Sequence, residues 1–201
     1  MRRVLAPAAA TLLLAGCASG GTATATRSSA SSASASVPVS PGSTGGAPAT
    51  ETATLTCGDA IDGGPPPEDS EEVLGVVALP TSPAHTALQA AGSGDPAAPR
   101  LFAKTGLLIR AGSAFELTVS PPPGNAVGIA WGNPGPEPTR RFAVPACPDT
   151  FGTGWLAYPG GYWADRPLCL PVTVRVQDMV RQVAIGVGAA CPGQQPPPQP
   201  G

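Results

Sequence analysis

Side chains able to carry chemistry are scarce in this 201-residue chain, and their spacing excludes more than it offers. His85 is the only histidine and Lys104 the only lysine. No His-Glu-x-x-His, Gly-x-Ser-x-Gly, Ser-x-x-Lys or Gly-x-x-x-x-Gly-Lys segment occurs, so the common zinc, acyl-transfer and phosphate-loop chemistries lack their residues. A Ser-His-Asp triad would have to use His85, which falls in a loop after Pro83. Asp149 and Asp165 flank an aromatic segment, and glycan hydrolysis could be built on such acids, since it needs two carboxylates at a fixed separation. Trp155, Tyr158, Tyr162 and Trp163 make that segment the leading candidate for ligand binding, with Trp131 elsewhere in the chain. Flat rings on glycine-rich backbone can stack on a sugar face. The competing reading puts Trp155 and Trp163 in the core, where large rings contribute most burial, with Pro159-Gly160-Gly161 as a tight turn between two aromatic strands. Arg140, Arg141 and Arg166 are available to orient a carboxylate or phosphate. Asp59, Asp62, Glu68, Asp69, Glu71 and Glu72 offer oxygen ligands, but without the spacing of a calcium-binding loop, and read as a solvated acidic segment. No catalytic residue, metal ligand or cofactor is assigned from these patterns.

The most specific chemistry lies at the start of the chain. Arg2 and Arg3 precede a short apolar run, which leads through Leu14-Ala15-Gly16 into Cys17. A basic start, an apolar stretch and small residues form an export signal, and the run is too short to span a bilayer, which takes about 20 residues. The four-residue segment resembles the lipobox of bacterial lipoproteins. That resemblance implies cleavage after residue 16, a diacylglyceryl thioether on Cys17 and fatty acylation (palmitate) of the new amine. Each buried methylene contributes about 0.8 kcal/mol, and two or more acyl chains hold where one does not. The expected partner is therefore the membrane, contacted through the lipid alone.

Residues 17–53 comprise Cys17 and a linker made almost entirely of Ala, Ser, Thr, Gly and Pro, with no aromatic side chain. Such a composition cannot bury enough apolar surface to offset its ordering entropy and is expected to be disordered. A coil of this length reaches roughly 30–35 Å. Residues 192–201 form a proline-rich end of the same expected character.

Between these lies a folded part, residues 54–191, of single-domain length. Phe115, Leu117 and Val119 alternate with polar neighbours, as do Val127, Ile129 and Trp131, then Phe142 and Val144. Val172, Val174 and Val176 are answered by Val183, Ile185 and Val187. Period two between turn-rich gaps predicts half-buried strands. The expected elements include a hairpin of 107–110 with 115–119, a hairpin of 170–177 with 181–188 and a strand at 73–79. A short helix is expected at 86–91. The fold class expected is all-β, an antiparallel sandwich or barrel-like single domain. Cys57, Cys147, Cys169 and Cys191 are even in number, which in an exported chain predicts two disulfides among three pairings. Cys147–Cys169 and Cys57–Cys191 are the pairing favoured here.

Segments 101–110 and 130–134, the aromatic loop and 185–191 resemble a group of exported actinobacterial lipoproteins of unknown function, and this resemblance covers most of the folded part. It implies membrane anchoring and an extracytoplasmic domain, and carries over no catalytic residue. The formal net charge is −2 and becomes more negative once Arg2 and Arg3 are removed, which argues against nucleic acid as a partner. The expectation is a binding or interaction module on the outer face of the cell membrane, meeting a cell-wall glycan or an envelope protein. The alternatives are a glycan-active enzyme using carboxylates beside the aromatic loop, and a structural component of the envelope.

Overall fold

Valine, leucine and isoleucine at alternate positions suit a pleated surface that is buried on one side, and that pattern dominates the architecture. The computed structural model describes residues 52–81 and 85–198. The expected leader, Cys17, nearly all of the linker and the last three residues lie outside the described residues. In chain order the strands are β1 (Ala53–Thr54), β2 (Glu71–Val73), β3 (Val77–Leu79), β4 (Ala91–Gly92) and β5 (Leu101–Lys104). Next come β6 (Leu107–Arg110), β7 (Phe115–Val119), β8 (Val127–Trp131) and β9 (Arg141–Val144). The series ends with β10 (Trp155–Tyr158), β11 (Gly160–Ala164), β12 (Leu168–Val176) and β13 (Met179–Val187). A single turn of 3-10 helix at Cys57–Asp59 is the only helical element among the described residues. The protein is all-β, as expected.

Three sheets share the core. The largest has the order β1-β9-β7-β12-β13; the others run β10-β6-β3-β2 and β4-β5-β11-β8. All strand pairs are antiparallel except β1 with β9. Leu117, Val172, Val174 and Ile185 from the first sheet, Val77, Leu107 and Ile109 from the second and Ile129 and Tyr162 from the third are all essentially inaccessible to solvent. They belong to one contiguous cluster.

The long hairpin of β12 with β13 forms as the alternation predicts, but Gln177 and Asp178 alone close it, so Met179 and Val180, expected in the turn, pair with Val176 and Arg175 instead. Other expectations are corrected. β6 and β7 do not pair with each other: β6 lies between β10 and β3, and β7 between β9 and β12. The segment at 73–79 is a hairpin rather than one strand, because Leu74 and Gly75 both take positive φ and reverse the chain. Residues 86–91 form no helix; Thr86 bridges Gln195, and Leu88 bridges Val187 at the edge of β13. Gln194, within the proline-rich end, donates through its side-chain amide to the Pro80 carbonyl at 3.2 Å.

The disulfides are Cys57–Cys147 and Cys169–Cys191, which corrects the favoured pairing. The reason is register. β1 and β9 run parallel with Thr54 opposite Ala143, and each strand meets a cysteine shortly after it ends, so Cys57 and Cys147 arrive together with Cα atoms 5.3 Å apart. Cys169 sits opposite Gly186 on the long hairpin, and the chain folds back just beyond, at Gly188, to bring Cys191 within 4.9 Å.

Candidate functional site

The aromatic segment does not form one exposed loop. β10 and β11 belong to different sheets, so the expected tight turn at Pro159-Gly160-Gly161 is instead a corner where the chain passes from one sheet to the next. A side chain would not fit there: a Cβ on Gly160 would overlap the Ala130 carbonyl, and one on Gly161 the Ala103 carbonyl. Gly160 also has φ of +154°, which L side chains rarely adopt. Backbone thus approaches backbone at the corner, and the rings on either side are drawn into the interior.

Four of the five aromatic candidates are core residues. Trp131 is 1% exposed, Tyr158 0%, Tyr162 1% and Trp155 5%. Trp131 meets Phe142 and Tyr162 edge-on, at 5.5 and 5.4 Å between ring centroids, and its indole N–H donates to the Thr105 carbonyl at 3.1 Å. Such pairs add about 0.5–1.5 kcal/mol each beyond burial. Tyr158 donates to the Cys57 carbonyl at 3.3 Å; burial pushes its phenol up, and the nearby Asp59 carboxylate adds to the shift. Burial also pushes the Tyr162 phenol up, and its hydroxyl has no hydrogen-bond partner. Trp155 lies under Arg110, whose guanidinium carbon is 4.3 Å from the ring centroid while a terminal nitrogen binds Glu72 at 2.7 Å. Arg110, rather than Arg140, Arg141 or Arg166, is the cation that meets this aromatic group.

Trp163 is different. Tyr162 points into the core, so its neighbour on the strand points outward, and Trp163 is only half-buried. It sits opposite Phe102 across β5 and β11, with ring centroids 4.3 Å apart and planes tilted by 35°. The indole borders an open groove of about 540 Å³, lined also by Ile61, Asn133, Pro136 and Pro159, with Ala130 and Gly160 in its lining. Ile61 is 61% exposed, the most exposed large apolar side chain among the described residues. A rigid indole, a proline-rich surround and one exposed amide suit a ligand with flat apolar faces and polar edges. Sequence reasoning found Trp163 but missed Ile61, Asn133 and Pro136. Phe102 was legible only as a member of the segment 101–110, and its outward position depends on register.

The two acids offered for hydrolysis are already engaged. Asp149 accepts from the backbone N–H of Gly152 and Gly154, both at 2.8 Å, and of Thr153 at 3.3 Å. These bonds, led by that from Gly154, hold its carboxyl below the usual carboxylate range, opposite to the elevation a general acid requires. Asp165 accepts from the Ala126 N–H at 2.9 Å. Part of the acidic segment is likewise engaged: Glu72 pairs with Arg110 at 2.7 Å and Glu71 with Arg181 at 3.7 Å, and Asp69 lies 3.6 Å from the His85 ring. Arg141 lies 3.4 Å from Glu116.

No family model matches the chain, and no curated protein matches it as a relative.

Proposed function

We propose that this chain is a lipid-anchored, extracytoplasmic binding module of the cell envelope that takes a cell-wall glycan on the face around Trp163. The observation that carries the ligand class is the position of that indole. Alone among the five candidate rings it keeps surface toward solvent, backed by Phe102 and bordering the groove between Ile61 and Pro136. A pyranose ring presents an apolar face of C–H groups and a rim of hydroxyls. The indole suits the face, and the Asn133 amide with nearby backbone suits the rim. The two disulfides support an oxidising compartment, in keeping with the export signal and with Cys17 as the acylated residue.

Two measurements test this reading on the full-length chain expressed in a bacterium with a lipoprotein-processing pathway. Cys17→Ser is expected to move the protein from the particulate to the soluble fraction. In a sedimentation assay with purified, protein-free cell-wall glycan, Trp163→Ala is expected to weaken binding at least about tenfold, the loss of a central aromatic anchor. Retention of Cys17→Ser in the membrane refutes the anchor. Undiminished binding by a folded Trp163→Ala chain refutes the ligand face.

A further inference from the structure

One of the two nine-residue strands leaves half of one edge open among the described residues. β13 closes the five-stranded sheet on one side and pairs only with β12. Its C-terminal half is covered by Leu88, whose N–H donates to the Gly186 carbonyl and whose carbonyl accepts from Gly188 N–H, both at 2.8 Å. Backbone groups on a strand turn to alternate sides with period two. The same edge therefore presents the N–H and C=O of Val180, Gln182 and Ala184. Among the described residues, none of these groups has a backbone partner on that side. Val180 is 50% exposed, and residues 179–182 are exposed throughout. Native sheets blunt such edges with charged side chains, proline or a bulge. This stretch carries no proline or bulge, and its one charge, Arg181, lies 3.7 Å from Glu71 of its own chain.

We propose that residues 180–184 of β13 pair antiparallel with the same residues of a second copy, about a two-fold axis at Gln182. The register decides in favour of this occupant. With Gln182 opposite Gln182 of the other copy, Val180 falls opposite Ala184, and all three facing positions are the ones whose hydrogen-bonding groups turn outward. Each pair exchanges two bonds, so the joined edges close six without a change in backbone direction. On the outer face a branched side chain meets a small one at both ends, and two amides meet at the centre. Arg181 falls opposite Val183, so no like charges face each other, the arrangement a self-complementary interface demands. β1, at the start of the described residues, lies at the opposite edge of the sheet from β13. A contact of five residues a side is small, so the dimer is reversible and weak on the scale of permanent interfaces.

Sedimentation of the full-length chain in a dilution series, from about 1 mM down to about 1 μM, is expected to show a monomer–dimer equilibrium. Gln182→Pro removes the central N–H donors but leaves the β12 ladder intact, because that N–H faces outward. Dimerisation should weaken at least about tenfold. Gln182→Lys sets two like charges opposite each other and should weaken it about fivefold. Mixing Gln182→Lys with Gln182→Glu should restore association, a rescue that no folding defect could produce. A wild-type chain that stays monomeric over the whole series overturns the proposal. So does a wild-type dimer whose strength neither substitution changes. Neither result bears on the Trp163 face.

Discussion

Removing the two disulfides one at a time should destabilise the protein unequally, and the sizes follow from the chain each one closes. Cys57–Cys147 spans 90 residues and Cys169–Cys191 spans 22. In the loop-entropy treatment these correspond to about 4.6 and about 3.4 kcal/mol. A domain of this length unfolds with an entropy near 0.3 kcal/mol per K. Cys57→Ala with Cys147→Ala should therefore lower Tm by about 15 °C, and Cys169→Ala with Cys191→Ala by about 11 °C. The sum, about 8 kcal/mol, is comparable to the whole net stability of an ordinary domain, about 5–15 kcal/mol, so the fully reduced chain should populate the unfolded state at moderate temperature. Circular dichroism melts of each double variant, with and without reductant, measure both steps. Non-reducing peptide mapping of the wild type checks the pairing itself. A smaller cost for removing the longer loop than the shorter one, or a peptide map joining Cys57 to Cys191, would refute this assignment.

Two further outcomes rest on single groups. Tyr162→Phe removes a buried hydroxyl that has no partner, and urea unfolding should show a gain of about 1 kcal/mol, the low end of the cost of an unsatisfied buried group; a loss of similar size would mean that the hydroxyl is bonded in solution. Asp149 has a folded-state pKa below its ordinary value of 3.8, so its contribution is present above that value and lost as pH falls through the lower, folded one. The stability lead of wild type over Asp149→Asn should hold at about pH 6 and shrink below 3.8; a lead that is flat across that range would assign the difference to packing.

The alternation in β12 and β13 was legible because valine on every second position has one reading in a half-buried sheet. Their register was not, because alternation does not say that Gln177 and Asp178 alone make the turn. The observed register carries the second disulfide: once Cys169 stands opposite Gly186, Cys191 is the nearest remaining cysteine beyond the end of β13. The first disulfide was hidden. It depends on a two-residue parallel strand at Ala53–Thr54, too short to leave a periodic signal. The aromatic segment was misleading for a related reason. Alternation along 155–163 shows that rings face opposite sides of a strand, but not that the chain changes sheets at Gly160. Only the corner decides that Tyr158 and Tyr162 both point inward while Trp163 is left outside.

The groove and the first disulfide are not independent. Cys57 opens the helical turn that carries Asp59, whose carboxylate lies so close to Gly132 that a Cβ there would come within 2.8 Å. Four residues after Cys57, Ile61 is held by its N–H donating to the Ala157 carbonyl at 2.9 Å, and Tyr158 reaches back to the Cys57 carbonyl. One wall of the groove therefore hangs from the crosslink, while Trp163 on the other wall is fixed by β5 and β8 on either side of β11. Breaking Cys57–Cys147 is expected to loosen the Ile61 wall and to leave the indole held between β5 and β8. The proposed export and the proposed binding face are thereby linked, because the crosslink beside the Ile61 wall is one that persists in an oxidising compartment.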